Sequence, residues 1–171
     1  MSLQKGLIGH WSMDSRDVDN GLLRDRSAYN KHGTINGPTT GETGIIGEAF
    51  SFDGTDEIDI PNDTLSTVSP SGDIAISLWF KTDSTDDQRI GEFRNPVDFT
   101  LGLKNGNIRW QVYDGNFQPA EPQPNFETDV WTHIVAQFES NFIEIYKNGV
   151  LEGDAEVNDG NSVDKDLNLG N

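Results

Sequence analysis

Between Ala49 and Pro61, apolar residues return at every second position on either side of one sharp turn, and little but β structure accommodates that pattern. Phe50 and Phe52 alternate with Ala49, Ser51 and Asp53. Successive side chains of a strand point to opposite faces, so this is the mark of a half-buried strand. Asp53-Gly54 follows, and glycine takes the positive φ of a tight turn without a Cβ clash. Ile58 and Ile60 then alternate with Glu57 and Asp59 up to Pro61, which lacks the N–H that a ladder needs. The stretch predicts two short strands around a tight turn.

The same period runs through the rest of the chain. In Asp73 to Thr82, Ile74, Ile76, Leu78 and Phe80 share one face, while Ala75, Ser77, Trp79 and Lys81 share the other. Trp79 is expected to be covered by a loop, because large aromatics are mostly buried; the alternative is contact with a ligand. Ile90 to Phe93 predicts a short strand. Val97 to Lys104 sends Val97, Phe99, Leu101 and Leu103 inward. A hairpin turn at Lys104-Asn105-Gly106-Asn107 leads to Ile108 to Asp114, with Ile108, Trp110 and Val112 inward and Arg109, Gln111 and Tyr113 on the opposite face. Val130 to Glu139 and Phe142 to Gly149 predict a further pair joined through short turns, with Asn148-Gly149 closing the second strand. Gly6 to Met13 predicts the first strand, with Trp11 in the core. Gly115 to Asp129 reads as a loop holding Pro119, Pro122 and Pro124, long enough to carry binding.

Composition agrees with an all-β chain. Hydrophobic content is only 33%, yet four Trp, nine Phe and three Tyr sit inside alternating segments, which a disordered chain would lack. Eighteen glycines and many Asn and Asp suit a turn-rich fold. Twenty-nine acidic residues against 12 basic ones give a net charge of −17, so nucleic acid is excluded as a partner by repulsion from its phosphates. The acids are scattered, as on a surface hydrated at high salt, which points to a halophilic source; the alternative is an acidic extracellular domain that binds divalent cations. There is no cysteine, hence neither disulfide nor thiolate site. No apolar run is long enough for a membrane span, so direct insertion is not expected. Residues 1–5 read as a leader and residues 6–171 as one domain.

Several segments resemble, in order, the motifs of laminin-G-like domains of the concanavalin A-like lectin/glucanase superfamily. Gly6 to Asp14 resembles "GLVGxWxxD". Leu23 to Gly37 is similar to "DxSGxGNxGTxxG" at the same length, with Ala28 for a Gly and Tyr29-Asn30 for Asn-Gly. Ala49 to Pro61 resembles "ALxFDGxxDYVxIP", Asp73 to Thr82 "FTISxWVKP", Val130 to Glu139 "xWHHVAxTYD", Phe142 to Gly149 "xxLYVNG", and Leu167 to Asn171 "LxIGN". The resemblance implies a two-sheet antiparallel jelly-roll sandwich. The chain stops before the family's last strand, so that strand is expected to be missing.

The resemblance also implies a structural Ca²⁺ at the Leu23–Gly37 loop, with Asp25, Asn30 and His32 as candidate metal residues. The alternative is that Asp25 and Ser27 hydrogen-bond the turn backbone themselves. Glu57-Ile58-Asp59-Ile60 resembles the E-I-D-x-E signature of retaining β-glucanases, which need two carboxylates about 5 Å apart. Pro61 stands where the second glutamate belongs, so the chain is not expected to be an enzyme. The expected function is a non-catalytic extracellular or cell-surface module, part of a larger protein, that recognises a carbohydrate or a surface protein. Its candidate ligand residues are Trp79, Arg109, Gln111, Tyr113 and His133, an aromatic plane plus planar polar groups. The alternative is a structural or adhesion spacer of a surface or pilus-like protein; a glycoside hydrolase is the third reading.

Overall fold

The computed structural model describes residues 6–61, 73–93, 98–113, 117–120 and 122–157. The expectations for residues 1–5, Val97 and Leu167 to Asn171 lie outside them. Every strand pairing among the described residues is antiparallel, and none of these residues forms an α-helix. No helix there is long and apolar enough to cross a membrane. The chain divides into two compact units, Met1–Val68 and Ser69–Asn171.

Among the described residues, the second unit contains two four-stranded sheets. One has the order β11-β10-β9-β8, from β8 (Gln88–Phe93), β9 (Asp98–Lys104), β10 (Asn107–Tyr113) and β11 (Phe117–Pro119). The other has the order β14-β13-β12-β7, from β7 (Ile74–Phe80), β12 (Thr132–Glu139), β13 (Phe142–Lys147) and β14 (Val150–Glu156). Period-2 alternation sorts the faces as expected. Phe99, Leu101, Leu103, Ile108, Trp110 and Val112 are buried from one sheet, and Ile74, Ile134, Ala136, Phe138, Ile143 and Ile145 from the other. The two rows meet: the Phe99 ring lies 5.5 Å from that of Phe138 and is stacked at 5.4 Å on Trp110. The fully buried Trp110 donates its indole N–H to the Gln137 carbonyl at 3.0 Å, which satisfies its one polar atom.

Three two-residue hairpins among the described residues of this unit set the registers, one of them at Ser140-Asn141 (φ 51° and 72°) between Glu139 and Phe142. Asn105-Gly106 and Asn148-Gly149 have positive φ throughout (51° and 75°, 50° and 82°), the type I′ geometry that follows the strand twist. They pair Lys104 with Asn107 and Lys147 with Val150. Within the expected Gly115–Asp129 loop, β11 adds a short strand to β10.

The first unit is assembled differently. A small sheet has the order β1-β2-β3-β6, from β1 (Val18–Asp19), β2 (Leu22–Leu23), β3 (Gly33–Asn36) and β6 (Glu57–Asp59). A separate hairpin joins β4 (Thr39–Thr43) to β5 (Glu48–Ser51). The Asp53-Gly54 turn therefore links strands of two different sheets rather than closing a hairpin. The reason lies upstream, where Pro38 to Gly47, read as a loop, supplies β5 with its partner. Phe52 falls beyond the end of β5 and is exposed. Gly6 to Met13 forms no strand; only an isolated bridge joins Trp11 to Asp25. That segment is held instead by the His10 backbone, whose N–H reaches the Asp25 carboxylate and whose carbonyl accepts from Arg26.

The seam of the second unit gives a direct test. Trp110→Ala should cost about 3–5 kcal/mol in urea unfolding followed by far-UV circular dichroism.

Candidate functional site

Three places hold the residues singled out from the sequence: the loop around Asp25, the outer face of the β7/β12 sheet, and the outer face of β10.

Asp25 is 5% exposed, and its carboxylate is a collection point for donors. Oδ1 accepts from the backbone N–H of His10 and of Ser27, both at 2.8 Å. Oδ2 accepts from the Ser27 hydroxyl at 2.6 Å and from the Lys31 N–H at 2.9 Å. The Asp25 N–H donates to Nδ1 of His32 at 3.1 Å, which leaves the proton of a neutral imidazole on Nε2. The Trp11 indole N–H closes the loop onto the Lys31 carbonyl at 2.9 Å. Burial alone would raise the Asp25 pKa; the hydrogen bonds from Ser27, His10 and Lys31 outweigh it and hold it below the usual range.

These contacts decide how the loop fits calcium. Ca²⁺ takes six to eight oxygen ligands, and the lone-pair directions of the Asp25 carboxylate already receive four donors. His32 offers nitrogen, and its Nδ1 is occupied. Asn30 is exposed, at a positive φ of 55°. Among the described residues no three His, Asp or Glu side chains come together as a metal-holding group. The donor set does not fit a calcium cage at Asp25, Asn30 and His32. The three do line one open cleft of about 340 Å³ with Asp19, Leu22, Arg24 and Arg26. Both arginines of that cleft are engaged, Arg24 with Asp19 and Arg26 with Asp17.

Beside this loop, Asp14 caps a single 3₁₀ turn, Ser15–Asp17. Arg16 grips its carboxylate with two side-chain N–H groups and holds its pKa down to about 2. Arg26, helped by the Ser12 hydroxyl, lowers the pKa of the buried Asp17.

On the β7/β12 sheet, Trp79 and His133 are direct cross-strand partners with ring centroids 5.0 Å apart. His133 Nε2 shares a 2.9 Å hydrogen bond with the Ser77 hydroxyl. Trp79 is 44% exposed rather than covered. Its strand is the edge of the sheet, so among the described strands only β12 flanks the indole. The face continues through Val135 and Gln137 to Glu144 and Tyr146 on β13. Glu144 accepts from the Gln137 amide and from the Tyr146 hydroxyl, and it raises the Tyr146 pKa. Ser77, Gln137, Glu144 and Tyr146 were not singled out from sequence, although the alternation of Glu144 and Tyr146 with Ile143 and Ile145 already marks an outward row.

Arg109 and Gln111 lie on β10, in the other sheet. The inner faces of the two sheets pack together, so these residues and the Trp79–His133 pair look out in opposite directions and do not form one site. Gln111 is only 7% exposed, which corrects the expectation of a solvent face. A central strand is flanked on both sides, here by Thr100 of β9 and Pro119 of β11. Tyr113 ends β10 opposite Asp98; its side chain lies outside the described residues.

The family model of the concanavalin A-like lectin/glucanases superfamily, laminin G type, matches residues 52–171. The chain belongs to this superfamily. Its jelly-roll fold is also that of domain 4 of AbnA, a GH43 extracellular arabinanase from Geobacillus stearothermophilus, solved in complex with arabinotriose. That match has 22% identity, covers 89% of this chain and 76% of the other, and has a TM-score of 0.67. A second similar structure is an S-layer domain-containing protein, residues 221–444, from Clostridium thermocellum, with 18% identity, 86% and 71% coverage, and a TM-score of 0.56. At these identities the likeness is one of fold. No curated protein sequence matches the laminin G-type chain.

Asp14, Asp17 and Asp25 are each harder to protonate in the fold than in the unfolded chain. Their stabilisation is complete above about pH 4. It is lost as pH falls, for Asp14 through about 2. The Trp11 indole N–H resonance should therefore collapse between those limits. Asp25→Ala should cost about 3 kcal/mol through stranded buried donors, whereas chelation with EDTA should leave the melting temperature unchanged. A rise of several degrees on adding calcium would overturn the backbone-clamp reading of the loop.

Proposed function

We propose that this laminin G-type domain is a non-catalytic carbohydrate-binding module that works outside the cell as part of a larger protein. The observation that carries the reading is the exposed Trp79 ring set against His133, with the Ser77 hydroxyl and the Gln137–Glu144–Tyr146 network beside it. An exposed indole at a sheet edge offers an apolar plane to a sugar ring, and the neighbouring hydroxyl, amide and carboxylate offer partners to its hydroxyls. Arabinotriose bound to the similar arabinanase domain, and the surface-layer source of the second structure, support a glycan or a cell-surface partner.

Catalysis is disfavoured by the acids. Glu57 and Asp59 sit on β6 around Ile58, and the next residue on their face is Pro61, which has no carboxyl. A glycosidase needs two facing carboxylates with separate roles.

Titration with arabino-oligosaccharides and a neutral glycan array tests the reading. Trp79→Ala should weaken binding at least about tenfold, with an unchanged near-UV spectrum from the buried Trp110. A folded wild-type sample that binds no glycan would sink the proposal and put the spacer role in its place.

A further inference from the structure

The sheet face that holds Trp79 continues across all four strands of its sheet. Residues paired across neighbouring strands share a face. The buried Ile134, Ala136, Ile143 and Ile145 turn the residues between them outward. Val135, Tyr146 and Leu151 pair in that order across β12, β13 and β14, and Trp79 stands diagonally from Val135 on β7. The four make a line from one sheet edge to the other. Trp79 and Leu151, at its ends, are 44% and 46% exposed, and Val135 and Tyr146 between them are half-buried. A chain with only 33% hydrophobic residues has few to spare for an outward face.

The pairing itself bends to make this line. Ile145 lies opposite Gly153, so regular pairing would put Glu152 opposite Tyr146. A register shift between Ile145 and Tyr146 brings Leu151 there instead. Bulges of this kind re-aim side chains and are common beside functional sites. The neighbouring row is polar: Gln137, Glu144 and Asp154 pair in order across the same three strands. Glu144 accepts from the Tyr146 hydroxyl at 3.0 Å, which tethers the outer end of that ring.

We propose that Trp79, Val135, Tyr146 and Leu151 form a track for an internal stretch of a linear, neutral polysaccharide, with Tyr146 as its second stacking plane. This rests on the glycan reading of Trp79 and adds to it the length and charge of the ligand. Two strand spacings and two residues separate Trp79 from Tyr146, about 12 Å. That is too wide for one ring to cover both planes, and it suits two rings with a third between them over Val135. The polar row takes hydroxyls along one side of the chain. Its carboxylates, with a net charge of −17, turn away uronic or sulfated chains. No described strand closes the track at β7 or at β14, so the ends of the ligand are not gripped. A protein partner would bury a broader apolar centre depleted of charge; a track one residue wide beside carboxylates fits rings with an apolar face and a hydroxyl rim.

The test is calorimetric titration of the intact chain with arabino-, xylo- and cello-oligosaccharides of one to six units. In the series that binds, affinity should rise at least about tenfold from two units to four and then level off. Tyr146→Ala should weaken the six-unit ligand about fivefold or more and leave the two-unit ligand, held at Trp79, unchanged. Tyr146→Phe, which keeps the plane, should retain binding, and Leu151→Ser should repeat the loss on the long ligand from an exposed position. Near-UV spectra check that each variant is folded. Reducing the terminal ring of the six-unit ligand to its alditol should change nothing. Equal affinity at two and six units would overturn the track and leave the Trp79 platform standing. So would a six-unit ligand indifferent to Tyr146→Ala, or one that is lost on reduction. Binding by no series at any length would remove the track and the platform together.

Discussion

The seam of Phe99, Trp110 and Phe138 fixes what each sheet of the second unit shows to the outside. Burial is non-directional, and on its own it would tolerate a slipped strand. The indole hydrogen bond to the Gln137 carbonyl adds direction across the two sheets. Shifting a strand by one residue would turn its whole apolar row outward. With the seam in place, His133, Val135 and Gln137 must face away from the core on β12, and Arg109 and Gln111 must do so on β10. The positions of the candidate binding groups are thus a consequence of core packing several residues away.

In the first unit a charge does the ordering. Among its described residues the buried apolar side chains are few, Leu23 and Phe50 among them. Asp25 ties the His10, Ser27 and Lys31 backbones to one point instead. A buried carboxylate is costly to desolvate, and four donors offset that cost. The same chemistry explains why the loop reads like a calcium loop. Donors that converge on a carboxylate and oxygens that converge on a cation need the same tight, Asn- and Ser-rich turn. Sequence shows the turn; only the contacts show which partner the carboxylate has taken.

Much of the fold was legible because period-2 alternation is a local property. Ile74 to Phe80, Phe99 to Leu103, Ile108 to Val112 and Phe142 to Ile145 could each be assigned a buried face without knowing their neighbours. Pairing is not local, and the misreadings sit there. Asp53-Gly54 looks like a hairpin turn whether its strands pair with each other or with β3 and β4. Gly6 to Met13 alternates like a strand but spends its hydrogen bonds on Asp25. The grouping of Trp79 and His133 with Arg109, Gln111 and Tyr113 required a sheet order that alternation does not contain. Gln111 was placed on a solvent face because it alternates with the inward Trp110 and Val112; it is nevertheless only 7% exposed, with Pro119 and Thr100 in register on either side.

Strand position also explains why the two outer faces differ in chemistry. Trp79 lies on an edge strand, so its ring is packed on one flank and offers a plane that many ligands can share. Gln111 lies on a central strand, where water is stripped from its amide oxygen. An exposed aromatic edge is therefore open to a ligand, whereas an amide oxygen sealed on a central strand is closed to one. The superfamily's sandwich places these two kinds of surface back to back, and selection on one face need not disturb the other as long as the Trp110 seam between them stays closed.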